Sequence, residues 1–367
     1  MAILRFLRCG LVLSALSALC GSCGTQGDAS VLPDRWPRSG LSGYRFLDSD
    51  VPYAMGRLGW DVDEPALFAA TGPLPTGNDP MSATPATFDL WARMSPRLSP
   101  EKTVLCRATL RLAKPNAEAE PEEALRPTLP WEGVGLRSPT VLTLSDDPSR
   151  PILLYQGEAG DVGVAQITPD GVEKISTTAP LIAAETLRAG QPGGIGRIAA
   201  VRDDDRVYVF YTLDDRELRV AETDRASLLR YVRDASAPVA FRISAPLLQA
   251  SAVAVPPGES KAVPAERIGQ VSAQRVVTPV GRVRWDVALR AQAGRDSVLV
   301  AASAFAEPRT ASSIGPASAF LAVEAPLIKT SEGAVSAPAL AALGGRSFLF
   351  FGLRAVATQI AVAGQPQ

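Results

Sequence analysis

The chain has 367 residues and no histidine. That absence removes Ser-His-Asp and Cys-His nucleophiles, a histidine general base and any histidine-ligated metal. The acids in distinctive settings are Asp61, Asp63 and Glu64 just before Pro65, Glu132 after Trp131, and Asp286 after Trp285. Each has a plainer reading, as a loop acid beside a proline or as a turn residue that ends a strand. Three further motifs carry no chemistry. The stretch Gly190 to Gly196 is glycine-rich but leads into a strand and lacks a Gly-Lys-Ser/Thr ending, so it cradles no phosphate. Ser99-Pro100-Glu101-Lys102 matches a Ser-x-x-Lys pattern that needs a helix, in a proline-rich setting. Asp203-Asp204-Asp205 reads as a solvated hairpin turn rather than a calcium loop. No metal and no cofactor are expected.

Elements must position those acids, and composition narrows their kind. Glycine and proline number 30 and 31, apolar residues make up 46% of the chain and charged ones 20%, balanced to a net charge of −1. This describes a folded, loop-rich domain and excludes a disordered chain, a coiled coil and a bundle of membrane-spanning helices. The charge balance leaves no electrostatic footprint for nucleic acid.

Residues 1–22 read as an export signal. Arg5 and Arg8 open it, the apolar run from Cys9 to Leu19 is too short to span a bilayer, and Gly21 and Ser22 are small. The ending Cys20-Gly21-Ser22-Cys23 resembles the bacterial lipobox, although Cys20 stands where leucine is usual. The resemblance implies lipidation of Cys23 and a membrane anchor, and Gly24 after it implies delivery to the outer membrane of the cell envelope. A plain secretory signal is the alternative. Residues 23–45 read as a tether. Cys9 and Cys20 would leave with the signal, so Cys106 remains as an unpaired, buried strand residue.

Downstream, short β-type runs alternate with turn chemistry. Arg197 to Val201, Val207 to Tyr211 and Leu218 to Ala221 are joined by acidic turns at Asp203 to Asp205 and Asp214-Asp215. Ser336 to Leu340, Phe348 to Gly352 and Gln359 to Ala363 repeat the unit through a Gly344-Gly345 turn. Further units centre on Phe88 to Ala92, Ile152 to Tyr155 and Trp285 to Leu289. Ala179-Pro180-Leu181-Ile182, Ala245-Pro246-Leu247-Leu248 and Ala325-Pro326-Leu327-Ile328 each close a unit, with a proline suited to a sheet edge. Glu222 to Val232 has room for one or two helical turns, and the acidic run Glu118 to Glu123 reads as an exposed connector. Five such units over residues 46–367 predict an all-β domain, a five-bladed β-propeller, with an irregular β-sandwich as the alternative.

Trp131-Glu132, Ser138-Pro139-Thr140-Val141 and Ile152 to Gly157 resemble the five-bladed propeller of glycoside hydrolase families 43 and 32. The resemblance spans about residue 60 onward. It implies a funnel on the propeller axis lined by the innermost strand of each blade, and catalysis by carboxylates from different blades. Such chemistry needs two carboxyl groups roughly 5–9.5 Å apart across the glycosidic bond. On that likeness Asp63 is the base, Glu64 its second, and Asp286 opens an inner strand in the fourth unit. Trp60, Trp131 and Trp285, with Glu132, would contact sugar, or the aromatics would plug gaps between blades. The third unit departs from the pattern, because Gly194-Ile195-Gly196-Arg197-Ile198 holds no acid. The expected role is therefore non-catalytic binding of carbohydrate or of a partner. An active hydrolase of arabinan-, xylan- or fructan-type substrates and a structural envelope lipoprotein are the alternatives.

Overall fold

A computed structural model describes residues 44–47, 53–69, 87–111, 113–144, 150–255, 262–277, 283–305, 320–322, 326–328, 334–343, 346–354 and 357–365. The expected export signal with Cys9 and Cys20, the expected lipidation residue Cys23, the expected tether up to residue 43 and the Gly344-Gly345 turn lie outside them. Among the described residues no helix is long and apolar enough to cross a membrane.

Two short strands, β1 (Arg45–Phe46) and β2 (Tyr53–Met55), precede the first blade. That blade is β3 (Trp60–Ala69), β4 (Thr87–Pro96), β5 (Val104–Arg111) and β6 (Glu122–Leu125), paired in that order. The second is β7 (Arg137–Thr143), β8 (Pro151–Gln156), β9 (Val162–Thr168) and β10 (Gly171–Lys174). A short helix, α1 (Ala184–Arg188), leads to the third. It comprises β11 (Ala199–Arg202), β12 (Arg206–Leu213) and β13 (Glu217–Asp224). Helix α2 (Arg225–Arg233) follows, and β14 (Arg242–Ile243) and β15 (Leu248–Gln249) then share the outer edge. After a small ribbon of β16 (Ala254–Val255) and β17 (Val263–Pro264), the fourth blade runs through β18 (Arg267–Val277), β19 (Val283–Ala293), β20 (Asp296–Phe305) and β21 (Leu321–Ala322). The fifth is β22 (Ala334–Leu343), β23 (Arg346–Arg354) and β24 (Thr358–Gly364), and its outer edge is supplied by β1 and β2. The chain thus closes its own ring: Arg45 pairs with Gly364 and Tyr53 with Ala361.

Every pairing within a blade is antiparallel, so tight hairpins suffice to build it. Asp214 and Asp215 turn β12 into β13 with both φ at 53°, the mirrored geometry that suits strand twist and that Asp tolerates. The proline-bearing segments sit at edges, where a missing N–H costs no ladder bond. Ile182 exchanges hydrogen bonds with Val162, while Leu247 and Leu327 donate to Leu218 and Leu299. Blades pack face to face through large apolar side chains. Trp285 wedges between the third and fourth, 4.9 Å from the Tyr208 ring and 6.1 Å from that of Phe210. Cys106 is buried on β5 and its thiol donates to the Ala92 carbonyl.

Three expectations change. The turn Asp203-Asp204-Asp205 is solvated only at its last two residues, since Asp203 is buried and pairs with Arg275 Nε at 2.8 Å. The run Glu118 to Glu123 is not a free connector: Ala119 bridges Met55, and Glu122 and Glu123 belong to β6 at the edge of the first blade. Trp285 and Asp286 lie on the second strand of the fourth blade, because β18 takes the inner position.

Candidate functional site

Four of the five inner strands carry a bulge at the same level. Glu64, Ser138, Gln270 and Ala337 adopt φ of 55°, 55°, 53° and 44°, each where strand register slips. A bulge re-aims the side chain at that point, and here neighbouring bulges clasp one another. The Ser138 N–H donates to Glu64 Oε2 at 2.6 Å, and the Ala337 N–H to Gln270 Oε1 at 2.9 Å. The third blade differs. There Gly196 N–H donates to the Thr212 carbonyl at 2.8 Å, and a Cβ on Gly196 would collide with Thr212 Oγ1. This close approach turns the next residue, Arg197, into the axis. Its guanidinium donates to the carbonyls of Pro65 and of Pro338, so one side chain ties the third blade to the first and fifth.

A cavity of about 300 Å³ lies among the first four blades. Five arginines line it, Arg93, Arg137, Arg197, Arg267 and Arg290, against two carboxylates, Glu64 and Asp215. Asp63 stands just behind. Its carboxylate takes a two-pronged bond from Arg93 Nε and Nη2, both at 2.8 Å, as expected of cross-strand partners. The same guanidinium lies 3.7 Å from Glu64 Oε1. Burial pushes the Glu64 carboxyl up, but Arg93, Arg197 and the Ser138 N–H outweigh it and hold the group below the ordinary range. Burial and the neighbouring Glu64 charge raise Asp63 despite its Arg93 fork. Glu64 and Asp63 in turn raise Arg93, whereas burial brings Arg197 down to about 10, still cationic at neutral pH. The buried Nε atoms of Arg137 and Arg197 have no hydrogen-bond partner among the described residues.

The structure brings Glu64 and Asp63 to the axis and takes the other sequence-derived residues elsewhere. Asp286 is fully buried inside the fourth blade, bonded to Arg284 Nη2 at 2.6 Å and Ser303 Oγ at 2.8 Å. Glu132 is spent on the linker between the first two blades, accepting from the N–H groups of Thr128 and Leu129, the Tyr155 hydroxyl and Lys174 Nζ. Trp131 stacks on Tyr155 at 5.9 Å, Trp60 packs under Arg57, and Trp285 is core. None of these lines the cavity. Among the described residues no three His, Cys, Asp or Glu gather as a metal site. Sequence reasoning passed over Arg93, Arg137, Arg267 and Arg290. The one available signal was Arg197, a charge in the apolar third unit where the family pattern asks for an acid.

No protein-family model matches the sequence, and no curated protein does. Solved structures do match. The catalytic domain of an α-L-arabinofuranosidase of family 62 from Coprinopsis cinerea superposes with a TM-score of 0.53 at 12% identity, over 89% of this chain and 94% of that one. An endo-arabinase from Bacteroides thetaiotaomicron gives 0.50 at 8% identity, over 84% and 95%. Levansucrase from Bacillus subtilis gives 0.50 at 9%, over 90% and 89%. The fold is a glycoside-hydrolase-like five-bladed propeller. At these identities the likeness is one of fold alone, and the chemistry of the axis has to be argued from its own residues.

Proposed function

We propose that this chain is a non-catalytic carbohydrate-binding propeller, exported and held in the bacterial envelope by lipid on Cys23. The observation that carries the reading is Arg197, whose guanidinium occupies the axis and donates to Pro65 and Pro338 carbonyls where a third carboxylate would stand. Glycoside hydrolysis needs one carboxyl to donate a proton and another to attack or activate water, on opposite sides of the bond. Asp63 and Glu64 are neighbours on one strand and share a single guanidinium, Asp286 and Glu132 are committed elsewhere, and the other cavity carboxylate, Asp215, stands in the charge field of Arg290. The fold's other members include enzymes that act on arabinose- and fructose-containing sugars by their names, which supports a sugar as the ligand class.

The test is an assay of the purified protein on aryl arabinofuranosides, aryl xylosides and sucrose, with glycan binding measured in parallel. Binding without product release is the expected result. Turnover that Asp63→Asn abolishes would replace the binding role with an active hydrolase. For the anchor, Cys23→Ala should move the protein from membrane to soluble fractions, and retention in the membrane would refute lipidation.

A further inference from the structure

The charge of the axial cavity narrows the ligand class. Two of its five arginines are already committed: Arg93 to Asp63, and Arg197 to two carbonyls. The other three form no salt bridge among the described residues, and Glu64 and Asp215 answer them only at longer range, Glu64 toward Arg137 and Asp215 toward Arg290. Arg137 spends one Nη on the Ile195 carbonyl and has a buried, unpartnered Nε. Arg290 spends only its Nε, on Ser297 Oγ at 2.7 Å. Arg267 is exposed, and its side chain makes no hydrogen bond or ion pair among the described residues. Guanidinium groups only donate, so a ligand here must bring acceptors, and gathered like charges are relieved best by an oxyanion.

We infer that the cavity takes an acidic sugar, its carboxylate or sulfate held by Arg137, Arg267 and Arg290. The inference rests on the sugar-binding role proposed above and names its ligand class. Glu64 from the first blade and Asp215 from the third also line the cavity and offer acceptors for hydroxyl groups, and the volume of about 300 Å³ suits a small saccharide unit.

Calorimetric titration of the purified protein with trigalacturonate, its methyl ester, a sulfated heparin disaccharide and free sulfate tests this. At least one acidic sugar should bind, with affinity falling as salt rises, and trigalacturonate, if it is that one, should outbind its uncharged ester by tenfold or more. Arg267→Ala and Arg290→Gln should each weaken binding by roughly tenfold, the usual loss of one charged hydrogen bond. Arg295→Ala removes the same charge from an exposed turn outside the cavity and should change nothing. Ester binding as tight as that of the acid, or affinity indifferent to Arg267 and Arg290, would overturn the anion assignment while leaving sugar binding in place. Sulfate binding as tightly as either acidic sugar would overturn the saccharide. No binding by any of the four probes would overturn the inference outright. Hydrolysis of a bound sugar would overturn the non-catalytic role instead.

Discussion

Removing the Arg197 side chain would strand the carbonyls of Pro65 and Pro338 and take from the buried Glu64 carboxylate one of the charges that hold it ionised. Breaking a buried charge arrangement by deleting one partner costs about 3–5 kcal/mol. Arg197→Met should therefore lower the urea midpoint by that equivalent, whereas a surface arginine replaced in the same way should move it little. Acid titration reads the same cluster from the other side. Glu64 titrates below its ordinary value of 4.5, so the native state holds fewer protons than the unfolded chain in that window. Its stabilisation is complete above pH 4.5 and is lost as pH falls through the native value. Asp63, raised from 3.8, runs the opposite way and weakens the fold as pH climbs through its own native value. In urea melts from pH 7 down to 3, the stability gap between wild type and Glu64→Gln should shrink below 4.5. Asp63 and Glu64 stood out in the sequence because their place before Pro65 resembles the base strand of the glycoside hydrolase propellers, and the structure puts Glu64 on the cavity with Asp63 behind it. Arg197 stood out only as a charge in an apolar unit, and Arg93 not at all, since it meets these acids only through the pairing of β3 with β4.

At the level of the strand, the bulges explain both what the sequence revealed and what it concealed. Alternating and continuous apolar runs picked out β8, β12, β19 and β23, whose residues are buried almost throughout. They missed β18, because an inner strand shows polar side chains such as Gln270 and Ser272 to the axis and to its neighbour strand. That is why Asp286, one strand further out, looked like a funnel residue. The bulge itself leaves no mark in composition: Glu64, Ser138, Gln270 and Ala337 share a backbone conformation and nothing else. Left-handed backbone costs an L-residue roughly 1–2 kcal/mol, and glycine escapes it at some entropic cost. Ala337→Gly should therefore leave stability unchanged or slightly higher. Ala339→Gly, two residues on in the ordinary strand region, should lose about 1 kcal/mol. Paired thermal melts of the two variants decide this.

For the molecule as a whole, five recurring units and their edge prolines made the propeller readable, whereas the closure was invisible. Nothing in Arg45-Phe46 or Tyr53-Ala54-Met55 announces a partner some three hundred residues away, since pairing at that distance is set by ring geometry and not by local pattern. Met55 is fully buried against the first and fifth blades. Met55→Ala should cost about 2–5 kcal/mol. Deleting residues 44–56 bares the edge of β24, and size-exclusion chromatography should then show association, as an unpaired strand edge invites.

Closure of the ring by β1 and β2 on the edge of β24 has a topological consequence. With Arg45 and Gly364 facing each other across a single ladder, the ends of the folded ring lie one strand spacing apart. The order in which the ribosome delivers the blades is then separable from the architecture they form. A circular permutant that joins these ends by a short glycine linker and opens the chain between β7 and β8 should refold to the same ring. Its five cavity arginines would keep their places although they follow one another in a different order.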